Sequence, residues 1–226
     1  MAQSVIVTGG FGALGQVVAK AFADRGDKVA RIDFATDAAS ALPGALDIGG
    51  VDLTDRAATQ AALDKVIATH GGIDVLINIA GGFTWETLEE GSLDSWGKMH
   101  AMNVTTAATI TRLALPELKK SAQGRVINMG AGGAVKAGMG MGAYAASKAG
   151  VHKLTEALAE ELADSSVTVN AILPSIIDTP TNRKDMPDAD PKGWVTPQGI
   201  ADVMLFLASP ASAAVTGALI PATRNG

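Results

Sequence analysis

The first fifteen residues restrict the fold more than any other stretch. Ser4-Val5-Ile6-Val7 is a short apolar run that reads as a buried strand. It leads directly into Thr8-Gly9-Gly10-Phe11-Gly12-Ala13-Leu14-Gly15. Beyond that turn, Val17, Val18, Ala21 and Phe22 recur at helical spacing. A strand, a glycine-rich turn and a helix in succession bring free backbone N–H groups and a helix N-terminus to one point, where a pyrophosphate can bind. Gly9 permits the tight turn, Gly12 lets the backbone approach a ligand, and Gly15 allows close packing of helix on strand. Phe11, Ala13 and Leu14 complete the expected phosphate cradle.

The rest of the chain repeats the alternation. Lys28 to Asp33 reads as a second strand ending in an acid, about 18 residues past the glycine turn. There a carboxylate hydrogen-bonds an adenosine ribose and repels a 2′-phosphate, so Asp33 argues for NAD(H), with NADP(H) use still possible. Arg31, two residues earlier, would share its face on a regular strand, which leaves a 2′-phosphate role for it open. Residues 35–50 read as a loop. Val51-Asp52-Leu53 then precedes Thr54, the expected cap of a helix running to about His70. Ile73 to Ile79 is a largely apolar strand that exits through Asn78-Ile79-Ala80-Gly81-Gly82. Ser92 looks like the cap of a long helix to about Leu118, carrying Met99, Met102 and Asn103. Further strands are expected at 125–129, 170–173 and 218–220, and Thr196-Pro197 has the form of a cap and first-turn proline for a helix to about Ala208. This alternation implies an α/β fold, a doubly wound parallel sheet with helices on both faces, as a single domain over 1–226.

Near its centre the chain places Tyr144-Ala145-Ala146-Ser147-Lys148 on a helix expected over 143–162, with Val151, Leu154, Leu158 and Leu162 inward. Four residues apart, the phenol and the ammonium share a face. A phenol titrates near pH ~10, and a fixed positive charge lowers that value, which would make Tyr144 a usable proton donor or acceptor. Tyr144 is the sole tyrosine. Composition narrows the alternatives. A net charge of −5 without a basic cluster argues against a nucleic-acid partner. There is no cysteine, and the three histidines (His70, His100, His152) lack ligand spacing, so no metal is expected. No apolar run reaches the ~20 residues that span a bilayer, and Met1 to Val7 has no leader pattern. A cytoplasmic protein with a small-molecule substrate and no membrane partner is expected.

With Thr8 to Gly15, Asp33, Asp52, Asn78 to Gly81, Asn103 and Tyr144 to Lys148 in this order, the chain resembles the short-chain dehydrogenase/reductase superfamily over nearly its whole length. The resemblance implies a single-domain Rossmann-type fold binding NAD(P). It would put Asp52 and Leu53 near the adenine, Ala80, Gly81 and Gly82 along the coenzyme, and Lys148 on the nicotinamide ribose. Pro174, Ile177 and Thr179 would sit beside the nicotinamide, and Asn103 would anchor a water in the proton relay. By the same resemblance the helices over 92–118 and 143–162 would pair subunits in a homodimer or homotetramer.

Three positions depart from the superfamily pattern: Ala13 replaces the middle glycine, Ile79 replaces a second asparagine, and Ala131 stands where a serine would hold the substrate oxygen. No Ser or Thr occurs from Val126 to Ala143. The serine-less Gly130-Ala131, Ala80-Gly81-Gly82-Phe83 and Asp178-Thr179-Pro180-x-Asn182-Arg183-Lys184-x-Met186-Pro187 with Trp194 resemble dihydropteridine reductases. That branch implies NADH reducing a quinonoid dihydropterin, or a similar flat heterocycle or quinone, beneath a lid over about 178–196. Phe83, Trp85, Ala131, Met139, Met141 and Trp194 are the candidate substrate contacts. The alternatives are a carbonyl or 3-oxoacyl reductase that tolerates Ala131, and a dinucleotide-sensing protein without turnover.

Overall fold

The computed structural model describes residues 2–224. Seven parallel strands form one sheet, β1 (Ser4–Thr8), β2 (Lys28–Ile32), β3 (Leu46–Ile48), β4 (Val75–Asn78), β5 (Arg125–Met129), β6 (Thr168–Pro174) and β7 (Leu219–Ala222), in the order β3-β2-β1-β4-β5-β6-β7. The order reverses at β1, whose neighbours are β2 and β4, and such a switch point opens a crevice beyond the carboxyl ends of the strands.

Strand residues alternate between two cores. Ile6, Ala30, Leu76, Val126 and Val169 pack beneath α2 (Arg56–His70), α4 (Thr106–Leu118) and α5 (Gly142–Glu161). Val7, Val29, Ile77, Ile127 and Ile172 pack on the other face, under α1 (Ala13–Asp24) and α7 (Pro197–Leu207). Both faces being covered is why these strands read as apolar runs.

Several boundaries correct the sequence reading. The loop expected over 35–50 contains β3, which pairs Ala30 with Leu46 through Ile32 with Ile48. Its three residues include Asp47, so it offered no hydrophobic signal. The cap of α2 is Asp55, whose carboxylate accepts from Ala57 N and Ala58 N, whereas Thr54 donates to Asp52. The long helix expected from Ser92 is divided into α3 (Asp94–His100), a π-helical turn at Ala101–Thr105, and α4. Ser92 Oγ accepts from Asp94 N just ahead of it. Thr196 does cap α7, accepting from Gly199 N at 3.0 Å. The segment 178–196 folds as the short helix α6 (Pro180–Asp185) and a 3₁₀ turn at Pro191–Gly193. No helix among the described residues is long and apolar enough to cross a membrane.

Candidate active site

The glycine turn closes onto itself and onto β4. Gly9 adopts φ +65°, and a Cβ there would lie 3.0 Å from Ala80. A Cβ on Gly15 would sit 2.1 Å from Gly9 O, so only glycine lets α1 start this close to the turn. Gly12 precedes α1 without any side-chain cap, which leaves the first N–H groups of the helix unsatisfied and directed at the crevice. Thr8 Oγ1 accepts from both Ile79 N and Ala80 N at 3.1 Å, stitching the exit of β4 to that of β1.

A pocket of about 750 Å³ runs along these segments, lined by Gly9, Phe11 to Gly15, Asp33, Asp52, Leu53, Ala80 and Gly81. Its size, the open helix N-terminus and the close backbone approach fit a dinucleotide. Asp33 is anchored from both oxygens, which accept from Phe11 N (2.9 Å) and Ala35 N (3.0 Å). Asp52 accepts from Thr54, which holds its carboxyl below the usual range. Phe34, Ile79, Lys98, Met102 and Thr106 also line the pocket, none of them among the coenzyme contacts expected from the sequence. Phe34 is 76 % exposed on the rim beside Asp33, a position signalled only by its adjacency to the acid.

Arg31 turns away from this pocket. Its guanidinium makes a bidentate pair with Asp47 (2.7 and 2.6 Å), donates to Ser40 O and lies over the Phe11 ring.

At the far end of the crevice, Gly81 meets the catalytic candidates. A Cβ on Gly81 would lie 2.4 Å from Asn103 Oδ1 and 3.5 Å from Lys148 Nζ. Asn103 sits in the π-helical turn, 1 % exposed. Its Oδ1 accepts from Gly82 N, and its Nδ2 donates to Gly82 O and to Ser147 Oγ. The Asn103 side chain thus clamps the β4 exit to α5.

Tyr144 and Lys148 share a face of α5, with consequences the spacing alone did not give. Lys148 Nζ donates to Met129 O at 2.8 Å. Burial pushes Lys148 down to about 8 and Tyr144 up to about 12. The direction is opposite to the lowering by Lys148 expected from the spacing, because withdrawal from water penalises the phenolate. One turn further on, buried His152 accepts at Nε2 from Ala131 N (3.3 Å). Burial and the Lys148 charge both lower its pKa, which keeps the ring neutral. His152 therefore fixes the backbone at the very position where the hydroxyl is missing. Its i, i+4 relation to Lys148 was the available signal.

The substrate candidates divide into two groups. Phe83 packs edge-to-face on Tyr144 with ring centroids 4.8 Å apart. Trp85 lies where a Cβ on Gly140 would be (2.3 Å), and Met141 occupies the space beside Gly133. Met139 is exposed at the tip of the same loop. Ala131 and Trp194 are both buried, at 5 % exposure each. Of the nicotinamide-side candidates, Pro174 lies against Gly132, Ile177 bridges to Val195, and Thr179 Oγ1 accepts from Asn182 N as the cap of α6. None of these three lines the coenzyme pocket. Among the described residues no group of three or more His, Asp or Glu is placed to hold a metal.

A family model described as short chain dehydrogenase matches residues 3–190. The chain belongs to the short-chain dehydrogenase family. It is an NAD(P)-dependent oxidoreductase of that family. Among characterised short-chain dehydrogenases, it is 31 % identical to a 3-oxoacyl-acyl-carrier-protein reductase of Thermotoga maritima, over 95 % of this chain and 94 % of that one. It is 33 % identical to the D-threitol dehydrogenase of Mycolicibacterium smegmatis, over 94 % and 88 %. In structure it matches the Brucella melitensis 3-ketoacyl-acyl-carrier-protein reductase complexed with NADH, with a TM-score of 0.88 at 26 % identity over 97 % and 96 % of the two chains. These relatives act on carbonyl–alcohol pairs by name, which favours the carbonyl-reductase alternative over the dihydropteridine reductase expectation.

Proposed function

We propose that the chain is an NADH-preferring reductase of carbonyl substrates. The observation that carries this is Tyr144 and Lys148 on one face of α5, with Lys148 next to Gly81 at the end of the dinucleotide-sized pocket. A bound nicotinamide supplies the hydride. The chain supplies the rest. Tyr144, whose burial keeps it protonated, donates its phenolic proton to the substrate oxygen as charge develops there. Lys148 binds the ribose hydroxyls and stabilises the phenolate left behind, since a cation in a water-poor site acts strongly on a neighbouring anion. The preference for NADH rests on Asp33 at the pocket rim and on Arg31 being held by Asp47. Residues 178–196 act as the substrate lid of one domain, and α3–α4 with α5 form the faces of a homodimer or homotetramer.

A second reading, reduction of a quinonoid dihydropterin, is favoured by one observation. Ala131 offers no hydroxyl, and its N–H is already engaged by His152, so an acceptor that needs no oxyanion donor suits this wall. The Phe83 face beside Tyr144 suits a flat ring equally.

The deciding experiment follows NADH oxidation with a 3-oxoacyl thioester, an aldose-derived ketone and chemically generated quinonoid dihydropterin, each with Tyr144→Phe alongside. Turnover of the thioester or ketone that falls about 10²–10⁴-fold in Tyr144→Phe is expected, the range of a lost general acid. Turnover confined to the pterin selects the second reading. Turnover that survives the substitution removes Tyr144 as proton donor.

A further inference from the structure

The sheet ladder between β5 and β6 ends at Gly130, whose N–H donates to Ile172 O at 2.9 Å. The next residue, Ala131, stays extended and buried, so its N–H needs an acceptor from outside the sheet. That acceptor is His152 Nε2 of α5, at 3.3 Å. One turn earlier on the same helix, Lys148 Nζ donates to Met129 O at 2.8 Å. Two side chains four residues apart thus grip the main chain on either side of Gly130. The fit is close: a Cβ on Gly130 would lie 2.6 Å from His152 Nε2 and 2.9 Å from its Cδ2. Lys148 uses one of its three N–H donors in this grip and keeps two for a ribose.

The grip depends on the charge of the ring. An amide N–H can only donate, so Nε2 is the unprotonated nitrogen and Nδ1 carries the proton. An imidazolium donates from both nitrogens, which would turn the bond to Ala131 into a repulsion. It would also set a second cation beside Lys148. Burial and then Lys148 hold the His152 pKa below its ordinary value, Glu156 opposes them, and Lys153 adds to them. Glu156 is itself paired with Lys153 at 2.6 Å. These three charged neighbours all belong to α5, while the facing residues Met129 to Ala131 and Leu173 carry no ionisable side chain.

We infer that His152 is a positioning residue for proton transfer: by accepting from Ala131 N it locks the β5 exit onto α5 and so keeps Lys148 in register with Tyr144. This rests on the reading of Tyr144 and Lys148 as the proton-transfer pair. The ring acts through the main chain and passes no proton to the substrate. Protonating it undoes the lock, so the reaction has an acid limb that belongs to His152.

The test follows kcat from about pH 5 to 8, the range of imidazole titration, at saturating NADH with a ketone or 3-oxoacyl thioester as acceptor. His152→Leu should lower kcat by about 10–100-fold with NADH affinity within about twofold, the signature of misplaced groups. His152→Gln, whose amide oxygen accepts the same N–H, should restore most of that loss and lack the acid limb of the wild type. Gly130→Ala, which drives a methyl group into the ring, should reproduce the His152→Leu loss and serves if that variant does not fold. An acid limb that persists in His152→Gln, or a wild-type kcat in His152→Leu or Gly130→Ala, overturns the inference. A second readout needs no turnover: in NMR spectra the Ala131 amide proton should shift along the titration curve of the His152 ring. An amide signal that stays still while the ring titrates also overturns it. Absence of turnover with every acceptor would count against the reductase reading, and the NMR titration would still decide whether the lock exists.

Discussion

On the coenzyme side of the crevice, main-chain N–H groups are held by short side chains at the strand ends. Phe11 N donates to Asp33, Thr8 Oγ1 receives Ile79 N and Ala80 N, and Gly15 leaves 2.1 Å between Gly9 O and where its Cβ would be. On the substrate side, Phe83, Trp85 and Met139 stand 59 %, 56 % and 80 % exposed, on loops whose main fixed points are Asn103 and Gly140. The difference teaches where this fold stores its specificity. The glycine turn is a matter of backbone geometry, which tolerates almost no change. The substrate is read by side chains projecting from loops, which can change without disturbing the sheet.

The sharpest way to break this contrast is Gly15→Val. A side chain there must displace Gly9 O, and NADH affinity measured by fluorescence titration is expected to fall by about 100-fold or more, the order of loss from an ångström-scale misplacement. Met139→Ala, on the exposed loop, should leave that affinity within about twofold, as for a surface change away from special features. Equal effects from the two would abolish the contrast.

Next in size is coenzyme choice. Asp33→Ser should lower the NADH-over-NADPH ratio of kcat/KM by about 10–100-fold, the worth of a charged hydrogen bond. Adding Asp47→Asn should release Arg31 and shift the ratio further. An unchanged ratio in Asp33→Ser would remove its role, and no further shift in the double variant would show that Arg31 stays out of reach.

Smaller again is Ala131→Ser, which restores a hydroxyl at the wall held by His152. Ketone turnover should rise by about tenfold, below the 10²–10³ of a fully preorganised donor. A ketone rate that does not move, beside fast pterin turnover, would support the flat-ring reading.

The mildest effect is one of stability against pH. The folded Lys148 titrates near about 8, against an ordinary 10.5 when unfolded, so between those values the unfolded chain binds more protons and stability rises with pH. Tyr144, raised from 10.0 to about 12, acts in the opposite direction above pH 10. The denaturant midpoint of the wild type should therefore climb from pH 8 towards 10, and Lys148→Met should lack that climb. A parallel pH dependence in the two proteins would contradict the burial of a charged Lys148.

Much of this was legible in advance, and particular residues show why. The glycine turn, α5 with Tyr144 and the Thr196 cap are each set largely by contacts within a few residues, so spacing carries them. The strand β3 was invisible because three residues at a sheet edge, one of them Asp47, carry no periodicity. The π-helical turn was hidden because Ala101 to Thr105 has ordinary helical composition, while the contacts that settle it, Asn103 with Gly82 and Ser147, span 21 and 44 positions.

The sequence by itself determined the alternation of strands and helices, the phosphate cradle and the pairing of a phenol with an ammonium four residues on, since periodicity and backbone freedom are local properties. Only the tertiary structure decided what the charged groups meet. It gave Arg31 to Asp47, Lys148 to Met129 O and Ala131 N to His152. Those outcomes depend on burial and on partners far away in the chain. Water, which treats every exposed charge alike, is what has been removed.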